Sequence, residues 1–353
     1  MMKAGVIGCG TISKFHVDGF REAGCELGWF CDIDPARSGA YQALYPGSKT
    51  TADYRDVLAD PEVSVVAVCT LTSLHNEVVK AAIAAGKAVI CEKTLGMNAA
   101  DALDMCLFAE EKKAFLSTGY MKRFFPAVQK AEELLKGRRI VSVYAKTYQP
   151  FPGLYLGDPS QQKATGDFLR DYMGGGVVVC GGSHIMDLLH FFCGLPTACA
   201  GQLDTVPGSD DFDRDANALF WFENGAVAHF EAYWHEYAKG GFEQNGWDEE
   251  IRINTPDGAV IVKTPLWHKP ENNAARVSWL DAVTGEYTEY RYEAVNSFTL
   301  HEIEEVKRVA EGKAPAVDGW DGYVADVMID AVKLASRTGD KVQIAFDKAM
   351  PRK

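Results

Sequence analysis

The sequence contains no CxxC pair, and its nine cysteines are scattered, several of them (Cys9, Cys69, Cys91, Cys193) inside apolar runs. That usage excludes a disulfide framework and a spaced zinc site, and it fits buried thiols in a reducing compartment. Net positive charge is also missing: the formal balance is −13. Nucleic acids and anionic membranes are bound through clustered cations, so neither is an expected partner, whereas a small neutral molecule is compatible. No apolar run approaches the ~20 residues that span a bilayer, and Met1 to Lys3 lead directly into the apolar stretch "AGVIG" without a secretory core. A soluble, cytoplasmic protein is expected. Neither an internal repeat nor a low-complexity tract is visible.

What is present is an ordinary globular composition, 47% apolar and 24% charged, in 353 residues, enough for two domains with proper cores. From residue 3 to about 120, short apolar runs ("KAGVIG", "LGWFCD", "SVVAVCT", "KAVICE", "AFLSTG") alternate with stretches of 3.6-residue spacing, which predicts βαβ units on a parallel sheet. After residue 137 the texture changes to hairpin-like runs such as "AVAHFEAYWH", "EEIRINTPD" and "EYTEYRYE", punctuated by "NG", "DG" and "TGE" turns, which predicts an antiparallel sheet. Helices are expected near 176–193, 298–311 and 321–337. The fold class is therefore α/β: a parallel-sheet domain of Rossmann type over 1–121, followed by a C-terminal α+β domain over 122–353 with an open, mainly antiparallel sheet.

The first apolar run ends in "GVIGCGTIS". Gly8 permits a tight turn there, and Gly10 lets the backbone N–H groups of the following helix approach a pyrophosphate, with Thr11 and Ile12 next in line. Ser13 stands where a third glycine is usual. Asp32, at the end of the second run, lies at the spacing of a carboxylate that accepts hydrogen bonds from an adenosine ribose. Its charge repels a 2′-phosphate, which favours NAD over NADP, while Arg37 nearby argues the other way. Asp32 also reads as a helix cap.

The stretch "AVICEKTLGM", residues 88–97, places Glu92 and Lys93 at the exit of a buried strand. Ligands of open parallel sheets bind beyond the carboxyl ends of the strands, so both residues should face the nicotinamide end of a dinucleotide, as should "CTLTSLH", residues 69–75. A lysine there stabilises the alkoxide that develops as hydride leaves an alcohol. It reads otherwise as a surface lysine paired with Glu92.

At these residues the chain resembles the Gfo/Idh/MocA family, named for glucose-fructose oxidoreductase and inositol dehydrogenase. The resemblance implies that Lys93 is the catalytic lysine of a Glu-Lys-Pro motif, here with Thr94 for proline. It carries Thr70 and His75 over as cofactor-side residues. "GYMKRF" (119–124) is similar to the segment closing the nucleotide domain, and "SRTGDKV" to the family's last helix and strand. "GGGVVVCGGSHIMDLLHFFCG", from Gly174 to Gly194, matches the family's triple glycine and Gly-X-His-X-X-Asp helix, which makes His184 the catalytic histidine and Asp187 its acid. Sugar dehydrogenases of the family commonly carry an Asp four residues before that histidine; this chain has Cys180.

The residues support that assignment independently. A histidine near a helix N-terminus is kept neutral by the macrodipole, as a base requires, and Asp187 shares its helix face and could orient the ring. The alternative is a core histidine satisfied by a carbonyl. Cys180 and His184 are spaced like a metal pair, but no further ligands accompany them, so no metal is expected. Tyr120, Arg123, Tyr148, Arg170 and His235 are candidate substrate contacts, and Trp267 and Trp320 are softer ones. The period of two puts His229, Glu231, Tyr233 and His235 on one strand face that could line a sugar site or a subunit interface.

Together these features predict an NAD-dependent oxidoreductase interconverting a secondary alcohol and a ketone on a sugar, cyclitol or glycoside, in a homodimer or homotetramer, with Lys93 and His184 meeting in a cleft between the domains. Two rival readings are a lyase or glycosidase using transient oxidation and elimination, and a non-catalytic NAD-sensing binding protein.

Overall fold

A computed structural model describes residues 1–150, 171–205, 212–266 and 274–351. The polypeptide forms two compact units: Met1–Met121 with Phe298–Asp326 and Asp347–Lys353, and Lys122–Ser297 with Val327–Phe346. The first unit thus includes residues that follow the change of texture near residue 137.

In the first unit, strands Lys3–Ile7 (β1), Glu26–Cys31 (β2), Lys49–Thr51 (β3), Val63–Val68 (β4), Ala88–Cys91 (β5) and Leu116–Thr118 (β6) alternate with helices Ser13–Glu22 (α1), Pro35–Leu44 (α2), Tyr54–Ala59 (α3), His75–Ala84 (α4) and Ala99–Lys112 (α5). The sheet has the order β3-β2-β1-β4-β5-β6, and its pairings are parallel. This is the expected Rossmann arrangement, with the strand order reversing between β1 and β4. β4 and β5 are built from Val, Ala, Ile, Ser and Cys and are almost wholly buried, as a strand covered on both faces requires. Several helices begin where a side chain accepts an orphan N–H: Asp34 caps α2 ahead of Pro35, Asp53 caps α3 and Asn98 caps α5. The short β3, Lys-Thr-Thr, has no apolar signature and was not among the expected runs.

In the second unit, helix Pro126–Leu135 (α6) precedes strand Ser142–Pro150 (β7), and helix Ser183–Cys193 (α7) precedes strands Pro196–Thr205 (β8), Asp213–Phe222 (β9), Val227–His235 (β10), Asp248–Thr255 (β11), Gly258–Thr264 (β12), Arg276–Asp281 (β13) and Tyr287–Arg291 (β14). Helices Ser297–Glu311 (α8) and Gly319–Thr338 (α9) and strand Val342–Gln343 (β15) end the chain. The nine-stranded sheet runs β14-β13-β12-β11-β7-β10-β9-β8-β15. Every pairing is antiparallel except β7 with β10, so "mainly antiparallel" describes it. The side chains alternate as read from the sequence: Ala228, Phe230, Ala232 and Trp234 of β10 are buried, whereas His229, Glu231 and Tyr233 are part-exposed. β8 was not anticipated, because small and polar residues blur its alternation, whereas β15 falls at the end of the segment likened to the family's last helix and strand.

The segment Asp171–Cys193 is, by length and composition, apolar enough to cross a bilayer, contrary to the expectation that no run came close. Since 78% of its most apolar window is buried inside the protein, its hydrophobicity is that of a core helix.

Candidate active site

The glycine turn of the first unit is shaped by close approach. Gly8 has φ +92°, and a Cβ there would lie 2.5 Å from the Cys69 carbonyl oxygen, so no side chain fits between the ends of β1 and β4. A Cβ on Gly10 would meet nothing within 4 Å, which leaves space over the start of α1. Thr11 is exposed and Ile12 part-exposed there. Ser13, in the third glycine's place, is buried; its hydroxyl donates to the Gly10 carbonyl (2.7 Å) and sits 2.9 Å from the Tyr41 hydroxyl. The Asp32 carboxylate accepts the N–H of Cys9 (2.7 Å) and of Asp34 (2.8 Å), tying the end of β2 to the turn. Arg37 is exposed and lies 3.6 Å from Asp34. A crowded first glycine, an open second one and a carboxylate one strand away fit the pyrophosphate and ribose of a dinucleotide.

At the exit of β5 every residue from Glu92 to Gly96 is buried except Lys93, which is part-exposed. The segment is held at each end. The Lys93 N–H donates to Glu92 Oε2 (3.1 Å), and the Gly96 N–H donates to Asp326 Oδ2 (2.8 Å). Between them His75, 1% exposed, points Nδ1 at the carbonyls of Thr94 (3.0 Å) and Leu95 (3.1 Å) and Nε2 at that of Thr70 (3.3 Å). His75, expected on the cofactor side, is thus occupied by backbone carbonyls of the strand-exit loops. Burial lowers its pKa despite these carbonyls. The Lys93-Thr94 peptide is cis.

Glu92 is buried, 6% exposed, and reaches into the core. Its carboxylate lies 2.9 Å from His16 Nε2 on α1, and His16 Nδ1 faces Glu302 of α8. Burial raises the Glu92 carboxyl, but the His16 contacts, joined by Lys93, outweigh it and hold it below its ordinary value. Burial also raises Glu302, and there it prevails. For His16 burial acts downward, yet its polar surroundings, led by Cys69 and Glu302, carry it well above its ordinary value. His16 and Glu302 were not anticipated. The available signal was a polar residue inside an apolar helical stripe: His16 lies among Phe15, Val17 and Phe20, and Glu302 between Phe298 and Val306.

In the second unit His184 is 9% exposed and lies on α7. It does not stand at the helix N-terminus, because a π-helical turn, Val178–Gly182, runs into α7 with helical backbone angles. The macrodipole argument therefore applies more than a turn upstream, where Asp213 accepts the N–H groups of Gly176 (3.0 Å) and Val178 (2.8 Å). Cys180 lies within the π-turn and is part-exposed. Asp187 is fully buried, and Arg123 grips it through Nε to both carboxylate oxygens (3.1 and 3.0 Å) and through Nη2 to Oδ1 (2.6 Å). Asp187 and Arg123, expected to serve the His184 ring and the substrate respectively, form with each other a bidentate pair that fixes α7 to the segment before α6.

The remaining candidates disperse. Tyr120 is fully buried. The Tyr148 hydroxyl donates to Glu231 Oε2 on the neighbouring strand (2.5 Å), with the Tyr233 ring 5.9 Å away. Burial, then Glu231, raises its pKa to about 12. His235 is 2% exposed, accepts the Tyr237 N–H (3.0 Å) and stacks on the Tyr237 ring at 4.4 Å. Trp320 is buried and donates to Glu110 (3.0 Å). Arg170 and Trp267 lie outside the described residues. No group of three metal-ligating side chains occurs among the described residues.

Comparison with known proteins places this geometry. Residues 2–120 match the oxidoreductase family with an NAD-binding Rossmann fold, and residues 130–261 match the Gfo/Idh/MocA C-terminal domain. An inositol 2-dehydrogenase of Acidothermus cellulolyticus is 33% identical over 99% of this chain and 96% of its own. A 1,5-anhydro-D-fructose reductase of Ensifer adhaerens is 29% identical over 76% of this chain and 78% of its own. A levoglucosan dehydrogenase solved with NADH and levoglucosan shares the fold, with a TM-score of 0.82 over 97% of this chain and 99% of that one at 20% identity. A dinucleotide turn with its ribose-side carboxylate, an anchored lysine at a strand exit and a full-length relative at this identity lead to one conclusion: the chain belongs to the Gfo/Idh/MocA family of NAD-binding oxidoreductases.

Proposed function

We propose that the protein catalyses the reversible oxidation of a secondary alcohol on a sugar, cyclitol or glycoside, with NAD rather than NADP. The observation that carries the reading is the strand-exit segment in which Lys93 alone meets solvent while its neighbours are buried and anchored. An ammonium on so fixed a backbone is preorganised to hydrogen-bond the substrate hydroxyl and to stabilise the negative charge that develops on its oxygen. His184, as a neutral imidazole, takes the hydroxyl proton as the O–H bond breaks, and in the reverse direction returns it. NAD, when bound, supplies the acceptor for the hydride leaving the same carbon. Gly8, Gly10, Thr11 and Ile12 hold the pyrophosphate, and Asp32 takes the ribose hydroxyls; Thr70 lines the same sheet edge. Cys180 supplies no carboxylate where sugar dehydrogenases of the family have one, so proton transfer rests on His184.

In this reading residues 1–121 bind the coenzyme, and residues 122–353 carry the substrate-binding and oligomerisation functions of a cytoplasmic homodimer or homotetramer. The part-exposed face of β7 and β10, with Tyr144, Tyr148, His229 and Tyr233, is the surface offered for assembly. The names of the relatives favour a dehydrogenase or reductase and lend no support to the lyase or the NAD-sensing alternative. The test is a panel of inositols, sugars and anhydrosugars offered with NAD and NADP while NADH absorbance is followed. The reading expects turnover of at least one polyol with NAD preferred, and NAD binding without turnover of any would refute it.

A further inference from the structure

We propose that His16 and Glu302 are positioning residues for Lys93, acting through Glu92 as a buried Glu–His–Glu triad beneath the strand exit. The inference rests on the reading of Lys93 as the charge-stabilising amine. The three groups come from α1, the exit of β5 and α8, are 1%, 6% and 1% exposed, and are joined by hydrogen bonds at both ring nitrogens. Two hydrogen bonds among three groups require two shared protons wherever those protons reside, which leaves one net negative charge sealed in the first unit. Such a charge is a poor source of stability, since a well-packed apolar trio of similar volume does as well or better. What it does provide is direction. His16 fixes Glu92 Oε1, and Oε2 of the same carboxylate holds the Lys93 N–H, so ring orientation passes directly to the backbone of the lysine.

The packing makes room for this and nothing larger. A Cβ on Gly19 of α1 would lie 2.4 Å from Glu302 Cγ, so only glycine lets α1 approach the acid. Glu302 Oε2 is buried without a hydrogen-bond partner among the described residues, so the carboxylate is committed to His16 through its other oxygen. The directions of the three pKa values, His16 up, Glu92 down and Glu302 up, agree with an imidazolium held between the two acids.

The test compares Glu302→Leu with Glu302→Gln. Leucine removes the Nδ1 partner. Glutamine can donate an amide N–H to Nδ1 and leave Nε2–H for Glu92. The proposal expects Glu302→Leu to lower kcat at least tenfold with the NAD dissociation constant within threefold of wild type, and Glu302→Gln to recover most of that loss. In the coenzyme-free protein, a low-field ring N–H proton resonance, assigned to His16 by its disappearance in His16→Gln, should be present in the wild type and absent in Glu302→Leu. A folded Glu302→Leu enzyme with kcat within twofold of wild type overturns the proposal, as does absence of the resonance from the wild type. Should the leucine variant fail to fold, His16→Gln decides in its place: a threefold or larger loss of kcat supports the proposal, and wild-type kcat overturns it. Lys93→Ala separates the two layers. If it keeps its turnover, the reading of Lys93 falls; if it loses turnover while Glu302→Leu does not, only the triad's role falls.

Discussion

In the parallel sheet of the first unit, β4 and β5 bury nearly every side chain, whereas β7 and β10 of the second unit alternate a buried residue with a part-exposed one. A polar residue therefore means different things in the two sheets. At the end of β5 a carboxylate and an ammonium interrupt an apolar run, and the interruption marks the ligand edge. On β7 and β10 polar residues are the rule at every second position, so Tyr148 and His235 carry no comparable signal; Tyr148 is engaged with Glu231 on the neighbouring strand and His235 with Tyr237 just beyond its own. Buried acids repeat the contrast: Glu92 is tied to a chain of titratable groups in the first unit, while Asp187 in the second is gripped by the Arg123 guanidinium.

The comparison can be broken by substitution. The largest effect is expected at His184, where loss of the proposed proton acceptor in His184→Ala should lower kcat by about 10²–10⁴-fold in steady-state assays without lowering the melting temperature comparably. Next is the buried pair. Asp187→Asn removes a charge that the buried Arg123 guanidinium grips, so denaturant unfolding should show a loss of about 3–5 kcal/mol, and a smaller one in Arg123→Met/Asp187→Leu. A pH-dependent effect is expected from Glu305 of α8, which accepts from Ser117 (3.0 Å) and from the N–H of Ala316 and Val317 and whose pKa burial pushes up to about 7. The folded state then keeps a proton that the unfolded chain releases above pH 4.5, the ordinary value, so its contribution is full in acid and is lost as pH rises through about 7. At about 1.4 kcal/mol per unit of pKa that is roughly 3 kcal/mol, and Glu305→Gln should flatten this part of the stability profile. The smallest effect belongs to the open sheet: Tyr148→Phe should change stability by about 1 kcal/mol or less and leave kcat/KM within twofold, and a large rise in KM would return Tyr148 to the substrate site.

Much of the fold was legible because hydrophobic periodicity is a local signal, and the runs read as strands in residues 3–120 are strands in the structure. The exceptions have physical reasons. β3 is too short and polar to show a pattern, β8 is diluted by small residues, and the start of α7 is disguised by a π-turn with the same apolar texture as a helix. Within the candidate site, Gly8, Asp32, Glu92 and Lys93 were legible because backbone conformation and strand exits are set by neighbouring residues. Their partners were not. His16 and Glu302 meet across most of the chain, and Arg123 finds Asp187 from 64 residues away, contacts that only the folded core creates.

The central claim is that the anchored strand exit of the first unit presents a lysine for chemistry rather than for coenzyme binding. Its most direct test measures single-turnover hydride transfer and NAD affinity together in Lys93→Ala, with a polyol that the wild type oxidises. The account predicts a transfer rate about 10²–10³-fold lower with the NAD dissociation constant within a few-fold of wild type. A transfer rate near that of the wild type, or a loss carried entirely by weakened NAD binding, would contradict it.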